Sequence, residues 1–106
     1  MEIKNNTVVI TGGAQGLGFA MAHKLAGLGA NIALIDMQQE LLDAAVKELS
    51  NYGVTVKGYV TNVTNEEEVE TTFNTINTDF GQIGVLINNA GILRDGMFIK
   101  AKEGKV

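Results

Sequence analysis

The residues with the clearest chemical potential lie in one short run, Thr11-Gly12-Gly13-Ala14-Gln15-Gly16-Leu17-Gly18. Glycine has no Cβ, so it lets backbone N–H groups come close to a bound group. The run follows the apolar, β-branched Thr7-Val8-Val9-Ile10 and opens onto a stretch of helical periodicity, which makes it a strand-to-helix turn. A helix N-terminus presents unpaired N–H donors and a partial positive charge, so the ligand it suits is an anion such as a phosphate. Glycine-rich turns also occur for backbone reasons alone, and the context is what sharpens this one. Asp36 ends the next apolar run at roughly the 20-residue separation at which an acidic side chain can accept hydrogen bonds from a ribose.

Holding these groups requires a strand and a helix on either side of each. Leu17, Met21, Leu25 and Leu28 recur at helical spacing and are expected to face a sheet, with Gly27 and Gly29 ending the helix. Ala30 to Ile35 reads as a second, mostly apolar strand, the composition expected when helices cover both faces of a sheet. Gln38 to Ser50 reads as an amphipathic helix with Leu41, Leu42, Ala45, Val46 and Leu49 on one face. Val54 to Val60 is a third strand, and Thr64-Asn65-Glu66-Glu67 has the spacing of a capping box with Thr64 as the cap. Val69, Phe73, Ile76 and Phe80 form one stripe of the next helix, and Val85 to Asn89 is a fourth strand.

Alternating strands and helices of these lengths imply right-handed crossovers. The fold class is therefore α/β, a three-layer Rossmann-type parallel sheet with strand order 3-2-1-4. From Ala90 onward the periodicity stops apart from Met97-Phe98-Ile99, and the fourth strand would be left with an open edge. The expectation is that residues 1–106 are the N-terminal part of a single dinucleotide-binding domain, incomplete at its C-terminal end.

Composition removes several classes of function. The 106 residues carry 8 basic and 12 acidic side chains, a formal charge of −4, which argues against nucleic acid or an anionic membrane as partner. There is no cysteine, so disulfides, thiolate catalysis and cysteine-ligated metal are excluded. No apolar run approaches the ~18 residues of a membrane span, and a soluble cytoplasmic protein is the expectation.

The spacing Gly12-x-x-x-Gly16-x-Gly18 after Thr11, together with Asn88-Asn89-Ala90-Gly91 after the fourth strand, resembles the short-chain dehydrogenase/reductase family. That family's paired signatures, TGxxxGxG and NNAG, both stand intact here, and the resemblance covers essentially the whole chain. The stretch Gly91-Ile92-Leu93-Arg94-Asp95 is similar to the beta-ketoacyl-acyl-carrier-protein reductase branch. The resemblance implies an NAD(P)-dependent enzyme moving hydride between nicotinamide and a carbonyl or secondary alcohol carbon. A 3-oxoacyl thioester is the leading substrate expectation, and a homo-oligomer is implied for the complete enzyme.

Residue by residue, the resemblance places Gly12, Gln15, Gly16, Leu17 and Gly18 around the pyrophosphate and adjacent ribose. Asn89, Ala90 and Gly91 would line the ribose and nicotinamide side, while Asn88 or Asn89 ties neighbouring backbone together. Asn62-Val63 stands where the family generally has Asp-Val at the adenine ring; the asparagine keeps an acceptor and a donor and loses the charge. Asp36 would meet a 2′-phosphate as a like charge, and Gln15 and Met37 occupy positions where NADP-preferring members usually carry a basic residue. NAD is therefore favoured over NADP as cofactor. Asp36 is equally compatible with capping the next helix.

The family's catalytic serine and Tyr-x-x-x-Lys pair have no counterpart here. Four residues beyond Tyr52 and Tyr59 stand Val56 and Val63 rather than lysine. No catalytic residue is assigned, and the 106-residue chain alone is expected to be inactive. His23 reads as a solvated or packing residue, Arg94 and Asp95 as an exposed loop pair, and Lys100, Lys102 and Lys105 as a solvated tail. Two other readings remain open: a non-catalytic nucleotide-binding module, and a flavodoxin-like regulator, which would carry an acidic cluster or phosphate loop at its strand ends instead of this glycine pattern.

Overall fold

The computed structural model describes residues 3–91. Arg94, Asp95, Met97 to Ile99 and the lysines from Lys100 onward lie outside the described residues. Apolar and β-branched runs form the strands β1 (Thr7–Thr11), β2 (Asn31–Asp36), β3 (Val56–Val60) and β4 (Val85–Asn88). Between them run helices α1 (Gly16–Gly27), α2 (Gln39–Leu49) and α3 (Glu66–Phe80), with a single 3-10 turn at Ser50–Tyr52. All pairings are parallel and the order is β3-β2-β1-β4, the topology expected from the sequence. The register sets Thr11 beside both Ile35 and Asn88, so the carboxyl ends of β1, β2 and β4 lie level with one another.

Strand alternation divides the core into two apolar layers. Val8, Ile10, Ile32 and Leu34 point toward α1 and α2, while Val9, Ala33 and Ile35 point toward α3, where they meet Val69, Phe73 and Ile76. Removing each such large side chain from water contributes roughly 1.5–3 kcal/mol, and the polar residues of the two central strands, Thr7, Thr11, Asn31 and Asp36, stand at their ends. α2 buries Leu42, Ala45 and Leu49 as its pattern requires.

α1 corrects the expectation drawn from its leucines. Its buried face is Gly18, Ala22 and Ala26, whereas Leu17 and Leu28 are 69% and 54% exposed and Met21 and Leu25 are half-buried. Small side chains let the helix lie close against the sheet, and the larger ones are displaced to its flank. There Met21, Leu25 and Leu28 form an apolar groove with Ile87 of β4. α1 ends in a Schellman arrangement: Gly29 has φ +93, its N–H donates to Ala26 O at 3.0 Å, and Ala30 N–H donates to Leu25 O at 3.1 Å.

The start of α3 is a second correction. The cap is Asn65, whose Oδ1 accepts from Glu68 N–H at 3.1 Å; the Thr64 hydroxyl instead donates to Asn62 Oδ1 at 2.6 Å. Asparagine and threonine both satisfy the capping pattern, and the Asn62–Thr64 turn decides between them. Strand limits also move by a residue or two: β1 continues through Thr11, β3 begins at Val56, and Asn89 lies beyond β4.

His23 is a cross-link between helices. As a carboxylate can only accept, Nε2–H donates to Glu48 Oε2 at 2.5 Å, and Nδ1 pairs with the Tyr52 hydroxyl at 2.9 Å. On the other side of the sheet, the Tyr59 hydroxyl donates to Asp79 Oδ2 at 2.7 Å. Burial, then that hydrogen bond and the adjacent negative charge, raise the Tyr59 phenol well above its ordinary range.

Two outcomes follow. Phe73→Ala, which empties a 1% exposed site, is expected to lower the unfolding free energy by about 3–5 kcal/mol in denaturant titration. Because the folded pKa of Tyr59 is raised, its contribution to stability is complete below the unfolded value of about 10 and is lost as pH rises through the higher folded value. In a Tyr52→Phe background, Asp79→Asn is expected to bring phenolate absorbance in at lower pH than in its parent, since the charge goes and the burial stays.

Candidate functional site

The level carboxyl ends of the strands frame a cleft of about 450 Å³. One wall is the β1–α1 turn, with Gly12, Gln15, Gly16 and Leu17; another is the end of β2, with Ile35, Asp36, Met37 and Gln38. Thr61 and Val63 close the side toward β3, and Asn89 and Ala90 the side toward β4. Nine of the twelve residues singled out from sequence therefore line one space. Gly18 is buried beneath the turn, Asn62 lies between the wall residues Thr61 and Val63, and Gly91 follows Ala90. Sequence reading missed Ile35, Gln38 and Thr61, and the only signal for them was their place at strand ends.

The glycine turn divides its amides into two sets. Gly12 and Gly13 N–H donate to Ile35 O at 2.7 and 3.3 Å, and Ala14 N–H donates to Asp36 Oδ2 at 3.2 Å. This narrows the expectation that the whole turn is open to an anion: its first three amides bind protein. The N–H groups of Gln15, Gly16, Leu17 and Gly18 have no protein acceptor among the described residues. They are the orphan donors at the start of α1, where the helix dipole is most positive. Gly16 has φ +60 and nothing within 4 Å of where a Cβ would stand, which leaves the approach to them open.

The underside of the turn has no spare room. A Cβ on Gly18 would stand 2.3 Å from Gly12 O and 2.8 Å from Asn89 Nδ2. Asn89 Nδ2 donates to Gly12 O at 3.1 Å, fixing the β4 exit to the glycine turn. Beside it, the Thr11 hydroxyl donates to Asn88 Oδ1 at 3.1 Å and accepts from Ala90 N–H at 3.1 Å, and Asn88 Oδ1 also accepts from Gly91 N–H at 3.2 Å. Both asparagines thus tie backbone together, as the resemblance implied.

The Asp36 carboxylate accepts from Ala14 N–H and, at 3.3 Å, from Gln38 N–H. Two oxygens offer about four lone-pair sites, so two acceptor positions remain for a ligand. Asp36 does not cap α2, whose N-cap is Gln38 without a side-chain cap bond. A depression of about 470 Å³ beside Val60 and α3 is a poorer anion site, since Glu67 and Glu68 line it and no cation does. Among the described residues no three His, Asp or Glu side chains could share a metal ion, and no described helix is long and apolar enough to cross a membrane.

A family model described as short chain dehydrogenase matches residues 6–106. The chain belongs to the short chain dehydrogenase family. One member, the 3-oxoacyl-[acyl-carrier-protein] reductase of Thermotoga maritima, is 36% identical over 103 residues, which is 97% of this chain and 42% of that enzyme. Among solved structures, NAD+-bound xylitol dehydrogenase superposes with a TM-score of 0.78 at 36% identity, covering 81% of this chain and 33% of that one. The NADPH-dependent 3-quinuclidinone reductase of Rhodotorula rubra superposes with a TM-score of 0.75 at 32% identity, covering 80% and 32%. The chain spans less than half the length of each of these family members.

Thr11→Val keeps the shape of the side chain while removing the hydroxyl's bonds to Ile87 O, Asn88 Oδ1 and Ala90 N–H. It is expected to lower stability by about 1–3 kcal/mol in denaturant titration, because Ala90 N–H loses its acceptor. Gly18→Ala is expected to cost more, since neither Gly12 O nor the Asn89 amide can yield without breaking their mutual bond.

Proposed function

We propose that this chain is the cofactor-binding portion of an NAD(H)-dependent oxidoreductase that moves hydride between nicotinamide and a carbonyl or secondary alcohol carbon. The observation that carries the proposal is the set of unpaired amides at the start of α1, of which Gln15, Gly16 and Leu17 line the same cleft as the Asp36 carboxylate. A diphosphate suits the first and a ribose diol the second. Bound nicotinamide supplies the hydride chemistry, while the protein holds and orients it.

In this reading Gly12, Gln15, Gly16, Leu17 and Gly18 form the diphosphate cradle, with Gly12 and Gly18 shaping it from below. Asp36 and Met37 receive the adenosine ribose, Asn62 and Val63 border the base, and Asn89, Ala90 and Gly91 face the nicotinamide side. The unfilled lone pairs of Asp36 fit ribose hydroxyls, and a 2′-phosphate would meet the carboxylate as a like charge; NAD is accordingly the cofactor proposed. Two solved relatives take opposite sides on this point, one bound to NAD+ and the other NADPH-dependent, so the side chain at the end of β2 is what supports the choice. Reduction of a 3-oxoacyl thioester is the proposed reaction, supported by the 36% identity to the Thermotoga maritima reductase. No Tyr-x-x-x-Lys occurs in the 106 residues, and no proton donor is assigned among them.

The test is dinucleotide binding, followed by nicotinamide fluorescence. NADH is expected to bind more tightly than NADPH. Asp36→Ala is expected to reduce that preference by roughly tenfold or more, given about 1.5–3 kcal/mol for hydrogen bonds to a charged group. An unchanged ratio of the two affinities would take Asp36 away from the ribose.

A further inference from the structure

Sulfur in this chain is confined to thioethers. There are 4 methionines and no cysteine, so methionine is where a peroxide can oxidise the protein at sulfur. Met21 and Met37 are the two methionines among the described residues. Met21 is half-buried in the groove between α1 and β4. Met37 is 61% exposed and lines the cleft beside Asp36.

The backbone keeps Met37 in that place. Asp36 Oδ1 accepts from Gln38 N–H at 3.3 Å, which closes a turn with Met37 at its centre. The other carboxylate oxygen ties the turn to Ala14 N–H at 3.2 Å. The side chain so presented extends the apolar share of the wall that Leu17, Ile35 and Val63 supply. A thioether is apolar and adaptable, whereas its sulfoxide is polar and chiral. The change would set a further oxygen acceptor next to the Asp36 carboxylate, and hydrated surface where the wall had been apolar.

We propose that Met37 is a peroxide-sensitive control on the loading of the cleft: hydrogen peroxide converts its thioether to the sulfoxide, the sulfoxide weakens dinucleotide binding, and a bound dinucleotide shields the sulfur. The proposal rests on the reading of the cleft as a dinucleotide site. In the step, a sulfur lone pair attacks one peroxide oxygen, and the S–O bond forms as the O–O bond breaks. Sulfur is oxidised and the peroxide reduced: the departing hydroxide takes the proton of the transferred hydroxyl and leaves as water. Only unoccupied protein is open to the reaction, so oxidation withdraws empty sites and spares loaded ones. Methionine sulfoxide reductases reverse it.

The experiment exposes the protein to hydrogen peroxide with and without NADH, removes the peroxide, follows Met21 and Met37 by peptide mass spectrometry, and measures NADH affinity by nicotinamide fluorescence. Met37 is expected to gain oxygen faster than Met21, and NADH to slow the reaction at Met37 alone. Treated protein is expected to bind NADH about fivefold or more weakly than untreated protein, and to regain its affinity after methionine sulfoxide reductase. Met37→Leu and Met37→Gln, each compared with its own untreated sample whatever its starting affinity, are expected to lose nothing to peroxide; Met21→Leu is expected to stay sensitive. Oxidation of Met37 without loss of affinity, an equal loss in Met37→Leu, or a Met37 that reacts as fast with NADH bound as without it overturns the role of Met37 while leaving the cleft a dinucleotide site. Failure of the untreated protein to bind NADH overturns both.

Discussion

The structure depends on a contact with no tolerance for a single extra carbon. The Gly18 Cα, the Gly12 carbonyl and the Asn89 amide converge so closely that a Cβ would fall 2.3 and 2.8 Å from the latter two. Three segments far apart in sequence meet there: the end of β1, the first turn of α1 and the exit of β4. The parallel register that sets Thr11 beside Asn88 makes the meeting possible, and the Asn89 to Gly12 bond holds it. Next to that bond the first turn of α1 brings Gly16 and Leu17 to the wall of the cleft.

The turn also shows how one backbone segment serves two purposes. Its first three amides are spent on Ile35 and Asp36, which anchors it to β2. The next four belong to the start of the helix and stay unpaired within the described residues. Fixed donors of this kind need no rearrangement to receive an anion, and the anchored half is what keeps them fixed. The twofold use of the segment explains why glycine is needed at some of its positions for quite different reasons. At Gly16 the backbone takes φ +60 in open space, while at Gly18 the neighbours leave no volume.

The turn and the Asn-Asn-Ala-Gly run could each be read from sequence, together with the strand order, because each is one contiguous stretch next to a strand. Nine of the residues chosen on that basis line one cleft. Properties set by distant partners were illegible. Hydropathy put Leu17 and Leu28 against the sheet, yet packing chose Gly18, Ala22 and Ala26, because closeness of approach outweighs side-chain area when a helix crosses strands this tightly. The α3 cap turned on whether Thr64 was already engaged by Asn62. Nor did sequence reveal the His23 bridge, whose partners lie 25 and 29 residues away. Thr61 and Gln38 entered the cleft only because β3 and β2 stop where they do.

Asp36 has one further consequence. Its carboxylate is a strut for the protein's own loop as well as the group proposed to receive the ribose, since Ala14 and Gln38 both hang on it. The two duties are borne by the same few atoms and cannot be inherited separately. A lineage that exchanges this aspartate to admit a different nucleotide also slackens the loop that grips it.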